Sequence, residues 1–585
     1  MIKKREYIFD FETYGEEFYK KHGYTKIYLW DACDIKTLKH EHGNTMDSFL
    51  DFALHNGVSG YFHNLSFDIE FILYGLQSRG YESVAKESDL RPHTYYILKQ
   101  GMAIYKLCIC ENVKKVGKKQ RTRKTIITIK DSLKILNFKV SELQKAFDLD
   151  IGKTFDEDYY NKVREDEFNP TDEDVSGCEH DTEVVALALR KMRENGMDKL
   201  TLSASAFSNW KKFLNKSGLN YNYLFPKLKY MDDCTMRKGY FGGFCYCNPS
   251  RINIAYDNVY CYDVNSEYPF MYYTRNLPYG NPIYYTGEYT EDSNYPLYIQ
   301  RLLICCDLKK DCLPIIQKQK VGLGGIAEYL TSTEDLVVEL TLTSVDLKLV
   351  KQNYNITYIK YIDGYKFRQS NTFFKEFTEY YMEMKMRAGQ EKNAVLRQIA
   401  KLNLNSLYGK FAMGLVAELY RVTEDEEEIL HISKVGEEMA DGIYLPLSMF
   451  ITSYAREYLI NSIQSNIDNF LYCDTDSMYL TAPAKDINID IDNLGTLGEW
   501  KLEHIVDNFK MLQPKRYTYT LKDKETAEVK CAGMSKDLQK KMSIRFREEE
   551  ILSAFNIGYH DIQLKKRKVK GGCVLFKTDF ILKEK

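Results

Sequence analysis

The sequence predicts a multidomain fold of mixed α/β and α+β class, on three observations. The chain has 585 residues, more than one hydrophobic core ordinarily serves, so several domains are expected. Hydrophobic residues make up 44% of it, a globular proportion. Apolar, β-prone runs alternate with stretches of helical period at the N-terminal end, the pattern of a mixed α/β domain. No apolar run is long enough to cross a bilayer, and Met1-Ile-Lys-Lys-Arg-Glu-Tyr7 leads straight into a strand without a signal-like apolar segment. A soluble cytoplasmic protein with no membrane partner is expected.

Taken in order, a strand over 7–11 precedes a helix over 44–56, a strand over 58–63 and a helix over 67–79. A long hairpin pairs 95–109 with 125–129, and a helix over 172–195 closes the segment. A helical stretch from about 200 leads to Arg237-Lys-Gly-Tyr240-Phe-Gly242-Gly243-Phe244, then to short strands up to Pro269. An irregular, tyrosine-rich insert runs to about Arg368. Two helices over 371–387 and 391–408 follow, broken by Gly389. A charged segment over 412–442, a helix over 447–465 and a hairpin carrying Asp474 complete this part. The 14 cysteines form no CxxC pair and read as reduced and structural.

Net charge is −2, which gives no global sign of a nucleic-acid partner. The local distribution does. Lys114, Lys115, Lys118, Lys119, Arg121, Arg123 and Lys124 cluster in the hairpin turn, and Lys565, Lys566, Arg567, Lys568 and Lys570 cluster near the C-terminus. Segregated basic patches suit a channel that tracks phosphates; a solvated loop is the alternative for either patch.

Chemistry concentrates in acidic residues. Phe470-Leu-Tyr-Cys-Asp474-Thr-Asp476-Ser-Met-Tyr-Leu480 puts two carboxylates one residue apart at a hairpin tip. Residues i and i+2 of an extended chain project to one side, so both can reach a hard cation such as Mg²⁺. Tyr260-Cys-Tyr-Asp263-Val-Asn-Ser-Glu-Tyr-Pro269 offers a third carboxylate. Such a trio suits two-metal phosphoryl transfer. Nearer the N-terminus, Asp10 and Glu12 share a strand, Asp68 stands where a strand gives way to a helix, and Asp181 sits on a helix. Four acids so spread can hold two metals, one activating water and one at the leaving oxygen. Singly, each is more often a solvated edge.

In the order DFET, HNxxFD and helix aspartate, the second set resembles the DEDD 3′-5′ exonuclease domain of family B DNA polymerases. The resemblance implies an RNase H-like domain with Asp10, Glu12, Asp68 and Asp181 as metal ligands and Lys153 in support. Asn64, Phe67, Ser132 and Leu133 match positions that grip the single-stranded 3′ end, with burial in the core the alternative for Ser132 and Leu133. The family places a tyrosine four residues before the last aspartate; here that residue is Gly177, and His180 adjoins Asp181. A slowed exonuclease is expected, with Tyr159 or Tyr160 as substitute.

Arg397, Lys401, Asn405 and Tyr408 recur at helical spacing on one face, ordinarily a solvated face. Their text, Lys401-Leu-Asn-Leu-Asn405-Ser-Leu-Tyr408-Gly409-Lys, is similar to motif B of the same family. That likeness implies Lys401 and Arg397 at the phosphates of an incoming dNTP and Asn405 and Tyr408 near the nascent pair. Motif A then implies Asp263 and the Val264 carbonyl as metal ligands, with Tyr268 excluding a ribose 2′-hydroxyl; Glu267 stands where an apolar residue is usual. Motif C supplies Asp474 and Asp476. Two Mg²⁺ per active site are implied, with Mn²⁺ able to substitute. Lys515-Arg-Tyr517 resembles the element that holds the primer, and Tyr240, Gly242 and Gly243 the element between the two active sites.

Leu313-Pro-Ile-Ile-Gln317, Leu342-Thr-Ser-Val-Asp346-Leu and Val569-Lys-Gly571-Gly572 narrow the resemblance to the protein-primed polymerases of small phages, the phi-29 type. This implies a right-hand architecture after the exonuclease domain (1–202): palm over 203–274 and 444–540, a terminal-protein-region insert over 275–375, fingers over 376–411, a second insert over 412–443 and a thumb over 541–585. It also implies protein-primed initiation with strand displacement, acting on primer-template DNA and a single-stranded 3′ end. The chain would be a monomer or a 1:1 heterodimer with a terminal protein, in the host cytoplasm. A DNA-primed repair polymerase and a nuclease with a non-catalytic polymerase half are the rival expectations.

Overall fold

The computed structural model describes residues 5–582 except 117–120, 156–158, 160–161, 163, 165–167, 323–327, 441, 493–494, 523, 525 and 546–558; side chains of 56, 113–116, 121–123, 544 and 545 also lie outside the described set. Lys118, Lys119 and Tyr160, and the side chains of Lys114, Lys115, Arg121 and Arg123, therefore fall outside it.

An eight-stranded sheet comes first, in the order His40–Gly43, Ile27–Asp34, Glu6–Thr13, Ser59–Phe62, Arg121–Asp131, Ala103–Val116, Thr94–Gln100, Glu82–Val84. Glu6–Thr13 runs parallel to Ser59–Phe62 and antiparallel to Ile27–Asp34. Its residues alternate between two cores. Tyr7, Phe9 and Phe11 pack with helices Met46–Asn56 and Leu65–Ser78, whereas Ile8 joins the core of helices Val140–Phe147 and Asp172–Glu194. Asp10 and Glu12 thus lie on the face of the last helix, which Thr171 and Asp174 cap reciprocally at its start. Strand Ile27–Asp34 is buried along its whole length; without a polar alternation it gave no strand signal in the sequence.

The second sheet has seven strands, ordered Ala527–Cys531, Arg516–Leu521, Trp500–Gln513, Val259–Val264, Ser477–Leu480, Phe470–Asp474, Cys245–Cys247. Helix Leu445–Gln464 packs on it through Leu459, Ile460 and Ile463. A helical layer of Leu202–Lys216, Lys375–Gln390 and Ala394–Ser406 shares a core in which Trp210 stacks on Phe374 with ring centroids 4.7 Å apart. No helix among the described residues is long and apolar enough to cross a membrane.

Three expectations are corrected. The insert up to Arg368 is regular: a four-stranded sheet, Leu277–Thr286, Tyr354–Ser370, Leu297–Leu308, Val338–Thr343, with helix Ser344–Asn353. Its strands are long and twisted by register shifts, so polar and tyrosine-rich faces hid the alternation. Gly389 lies inside helix Lys375–Gln390; the break follows it, at left-handed Lys392 and the cap Asn393. Residues 95–109 form two strands turning at Gly101, not one. The charged segment is a hairpin, Val416–Glu424 with Leu430–Met439.

Candidate active sites

The N-terminal carboxylates converge. Asp10, Glu12, Asp68 and Asp181 all line one cavity of about 560 Å³, together with Asn64, Phe67 and Lys153. Burial raises every one of these four carboxyls; Asp10 is pushed up to about 7 by desolvation and by Asp181, and Glu12 and Asp68 well above the usual range by desolvation and by Asp10. Lys153 Nζ lies 3.3 Å from Asp181 Oδ2 and opposes the rise there. Asp181 Oδ1 is buried without a hydrogen-bond partner. A concentrated, under-compensated set of hard oxygens is what a divalent cation fits.

Three groups here escaped the sequence reading. Cys178 has its sulfur within 4.8 Å of Asp10 and Glu12 ligand atoms; one turn before Asp181, its helical spacing was the available signal. Phe155 explains Gly177: a Cβ on Gly177 would sit 1.8 Å from the Phe155 ring, so that ring fills the space a side chain there would take. Tyr28 brings a phenol to the site, its hydroxyl donating to Glu12 Oε2 over 3.5 Å; no spacing in the sequence pointed to it. Tyr159 lies behind it, 3.4 Å away oxygen to oxygen. His180 turns back along its helix to the Ser176 carbonyl.

The C-terminal trio is built differently. Val259–Val264 pairs with Ser477–Leu480, Asp263 opposite Ser477, and the Val264 N–H donates to the Asp476 carbonyl over 2.8 Å. Asp263 and Asp476 consequently face each other; burial, with Glu503 adding, raises Asp263 against the pull of Lys501, and burial, with Asp263 adding, raises Asp476 to about 6. The tip is not extended as expected. Thr475 is left-handed and the Asp476 N–H folds back onto the Asp474 carbonyl, so a tight turn, rather than strand alternation, aims the carboxylates. Asp474 takes both oxygens to Lys515 Nζ at 2.7 Å, and Lys501 Nζ lies 3.2 Å from Asp263. Gly243 backs this turn closely: a Cβ there would meet the Thr475 side chain at 2.8 Å.

Above the trio, Tyr268 and Tyr408 stack at 3.9 Å. Arg397, Lys401 and Asn405 are exposed on their helix. A further cation, not singled out in the sequence, is Lys385, which donates to Asn265 Oδ1 and Ser266 Oγ at 3.3 Å. Burial and the neighbouring Arg397, Lys401 and Lys501 lower it to about 8. Four cations gathered beside Asp263 make a pocket for polyanionic phosphate. Glu267 is 1% exposed, and among the described residues neither of its oxygens has a hydrogen-bond partner; burial, then Asp476 and Asp263, raises it well above the carboxylate range. Arg456 is buried against Asp346 through three contacts of 2.7–3.0 Å and donates to the carbonyls of Phe241 and Gly242, tying the insert to the loop of Tyr240.

Among the residues matched to DNA contacts, Asn64 and Phe67 border the N-terminal cavity and Leu133 is half-buried. Ser132 is wholly buried, bonded to the Phe62 carbonyl and His63, so it holds the core together and does not present itself to a strand. Tyr517 is half-buried against Tyr472 and Phe509. The C-terminal basic cluster is partly consumed within the molecule: Lys566 and Lys568 pair with Glu70, and Lys570 with Glu428.

A family model described as DNA polymerase type B, organellar and viral, matches residues 156–492. The DNA polymerase of Bacillus phage M2 is 33% identical over 581 residues, covering 95% of this chain and 97% of that one. That of Bacillus phage phi29 is 32% identical over 607 residues, covering both chains completely. Phi29 DNA polymerase complexed with primer-template DNA and incoming nucleotide superimposes with a TM-score of 0.89 at 30% identity, covering 99% of this chain and 100% of that one. The same enzyme complexed with single-stranded DNA gives 0.87.

Proposed function

Because this chain belongs to the organellar and viral type B DNA polymerases and is a DNA-directed DNA polymerase, we propose that it replicates a linear phage-type genome by protein-primed initiation and strand displacement, with an associated 3′-5′ exonuclease, in the host cytoplasm. The observation that carries the synthetic reading is the meeting of Asp263 and Asp476 across paired strands beneath Lys385, Arg397, Lys401 and Lys501. Asp263, Asp476, Asp474 and the Val264 carbonyl would hold Mg²⁺, which when bound acidifies the primer 3′-hydroxyl and neutralises charge on the triphosphate. The four cations bind and orient that triphosphate, Tyr268 and Tyr408 pack against sugar and base, and the Tyr268 ring excludes a 2′-hydroxyl. Lys515 and Tyr517 hold the primer.

The N-terminal domain over 1–202 takes the nuclease role. Asp10, Glu12, Asp68 and Asp181 would hold its metals, Lys153 steadies Asp181, and Asn64 and Phe67 bind the single-stranded end. The proposed right-hand division, with palm, fingers, thumb and two inserts, follows the sheets: 275–375 is the four-stranded insert facing a terminal protein. The 412–443 hairpin reaches the nuclease domain through Gln77 to Glu424 and Tyr74 to the Glu428 carbonyl, and its pairing with Lys570 supports a closed path around the template. A nuclease with an inert polymerase half is disfavoured by the intact cation pocket.

Primer extension and 3′ degradation followed on one end-labelled substrate test the assignment. Asp476→Ala is expected to abolish extension and leave degradation, and Asp10→Ala with Glu12→Ala to do the reverse. Extension at near wild-type rate by the Asp476 variant would overturn the polymerase site.

A further inference from the structure

The nuclease centre lacks a side chain at Gly177, yet a phenol reaches it from another element. In the pairing of the first two strands, Glu12 faces Leu29 and Thr13 faces Ile27, so Tyr28 is an extra residue in the register. A bulge of this kind re-aims a side chain and is frequent beside active sites. Here it directs the buried Tyr28 ring into the cavity that holds Asp10 and Glu12. The hydroxyl stands 3.5 Å from Glu12 Oε2 and 3.4 Å from the Tyr159 oxygen. Tyr159 donates to Asp174 Oδ1 at 2.6 Å, and Asp174 in turn caps the helix that carries Asp181. The Arg164 guanidinium covers both rings at 4.7 and 4.6 Å. Phe155 stacks on Tyr159 at 3.5 Å with its own edge against Gly177.

We propose that Tyr28 is a positioning residue of the nuclease centre: its hydroxyl, which donates its single proton to Glu12 while Tyr159 donates its own to Asp174, fixes the Glu12 carboxylate in the orientation that receives metal, with Tyr159 packed behind it. The inference rests on the nuclease reading given above. Among the described residues Tyr28 is the one side chain that hydrogen-bonds to Glu12, so the phenol restrains its torsions; a ligating carboxylate held by such a partner loses order when the partner goes. A contact of 3.5 Å is long for a hydrogen bond, and contacts of this kind shorten when the reacting complex assembles. The alternative is an aromatic cluster that merely fills space, and the hydroxyl alone distinguishes the two.

Tyr28→Phe removes the oxygen and keeps the ring. On a single-stranded oligonucleotide, the expected result is a fall of roughly 10–100-fold in the degradation kcat, with KM for the oligonucleotide, primer extension and Tm unchanged. Mn²⁺ binding followed by electron paramagnetic resonance, in an Asp263→Ala, Asp476→Ala background that leaves the nuclease ligands alone, should weaken by about tenfold or more. Tyr159→Phe should produce the same pattern with a smaller drop. Wild-type kcat and Mn²⁺ affinity in Tyr28→Phe, or a loss that tracks a lowered Tm, overturns the proposal while leaving the nuclease reading in place. A wild-type chain whose degradation does not depend on Asp10 overturns both.

Discussion

In the seven-stranded sheet the acidic groups meet cations: Lys501 on Asp263, Lys515 on Asp474, and the buried Arg456 close enough to oppose the rise of Glu267. At the eight-stranded sheet half-buried Asp10 and buried Glu12 and Asp68 lie mainly against one another, and among the described residues only Asp181 of the four forms an ion pair, with Lys153. The proposed polymerase centre therefore carries internal counter-charge that substrate and metal would have to displace. The proposed nuclease centre carries a deficit that metal or protons would relieve. Cations stabilise the first, so removing one destabilises it; carboxylates strain the second.

The largest effect follows from Arg456. It is 3% exposed and paired bidentately with Asp346, itself wholly buried. Arg456→Met leaves that carboxylate unpaired and frees two loop carbonyls, which should cost about 3–5 kcal/mol, read as a lowered urea midpoint. Extension should fall with it, because the loop of Gly243 backs the Thr475 turn. An unchanged midpoint would mean that cations do not hold this half together, and the contrast with the nuclease half would lapse. A smaller effect of opposite sign is expected at Glu267, whose oxygens have no partners among the described residues. Glu267→Leu fills the same space without a polar group to desolvate and should gain about 1–3 kcal/mol. A loss of stability would show that the carboxyl has a partner, such as an ordered water.

How far each centre could be read from sequence follows the same division. Residues close in sequence and in rigid elements were legible: Asp10 with Glu12 on a strand, Arg397 to Asn405 on a helix, with Tyr408 in the turn that follows it. Groups that arrive from distant elements were not. Tyr28 depends on a register slip, Lys385 on two helices crossing near Asn265, and Arg456 on a partner 110 residues away; none leaves a local pattern. For Asp474 and Asp476 the expected geometry was wrong, since a left-handed Thr475 replaces the extended chain. The four-stranded insert was unreadable because bulges interrupt its alternation, and the buried strand Ile27–Asp34 because it has none.

The finest separation of the two centres is by pH. Burial, with Asp181 adding, pushes Asp10 up to about 7; burial, with Asp263 adding, pushes Asp476 up to about 6. A carboxyl whose folded value exceeds its unfolded value of about 4 favours the fold when protonated. That contribution is complete below about pH 4 and is lost as pH rises through the folded value. Without metal, the fold should therefore weaken from about pH 4 to 6 through Asp476 and on to about pH 7 through Asp10. On the proposed metal reading Mg²⁺ would bind the ionised carboxylates, and the Tm difference between Mg²⁺ and EDTA should then widen over the same range. Asp10→Asn should flatten the EDTA curve from about pH 4 up to about 7 and Asp476→Asn only from about pH 4 up to about 6, so the stretch between about pH 6 and 7 separates them. If both variants flatten the same part, the two centres share one protonation behaviour, and internal counter-charge is not what distinguishes them.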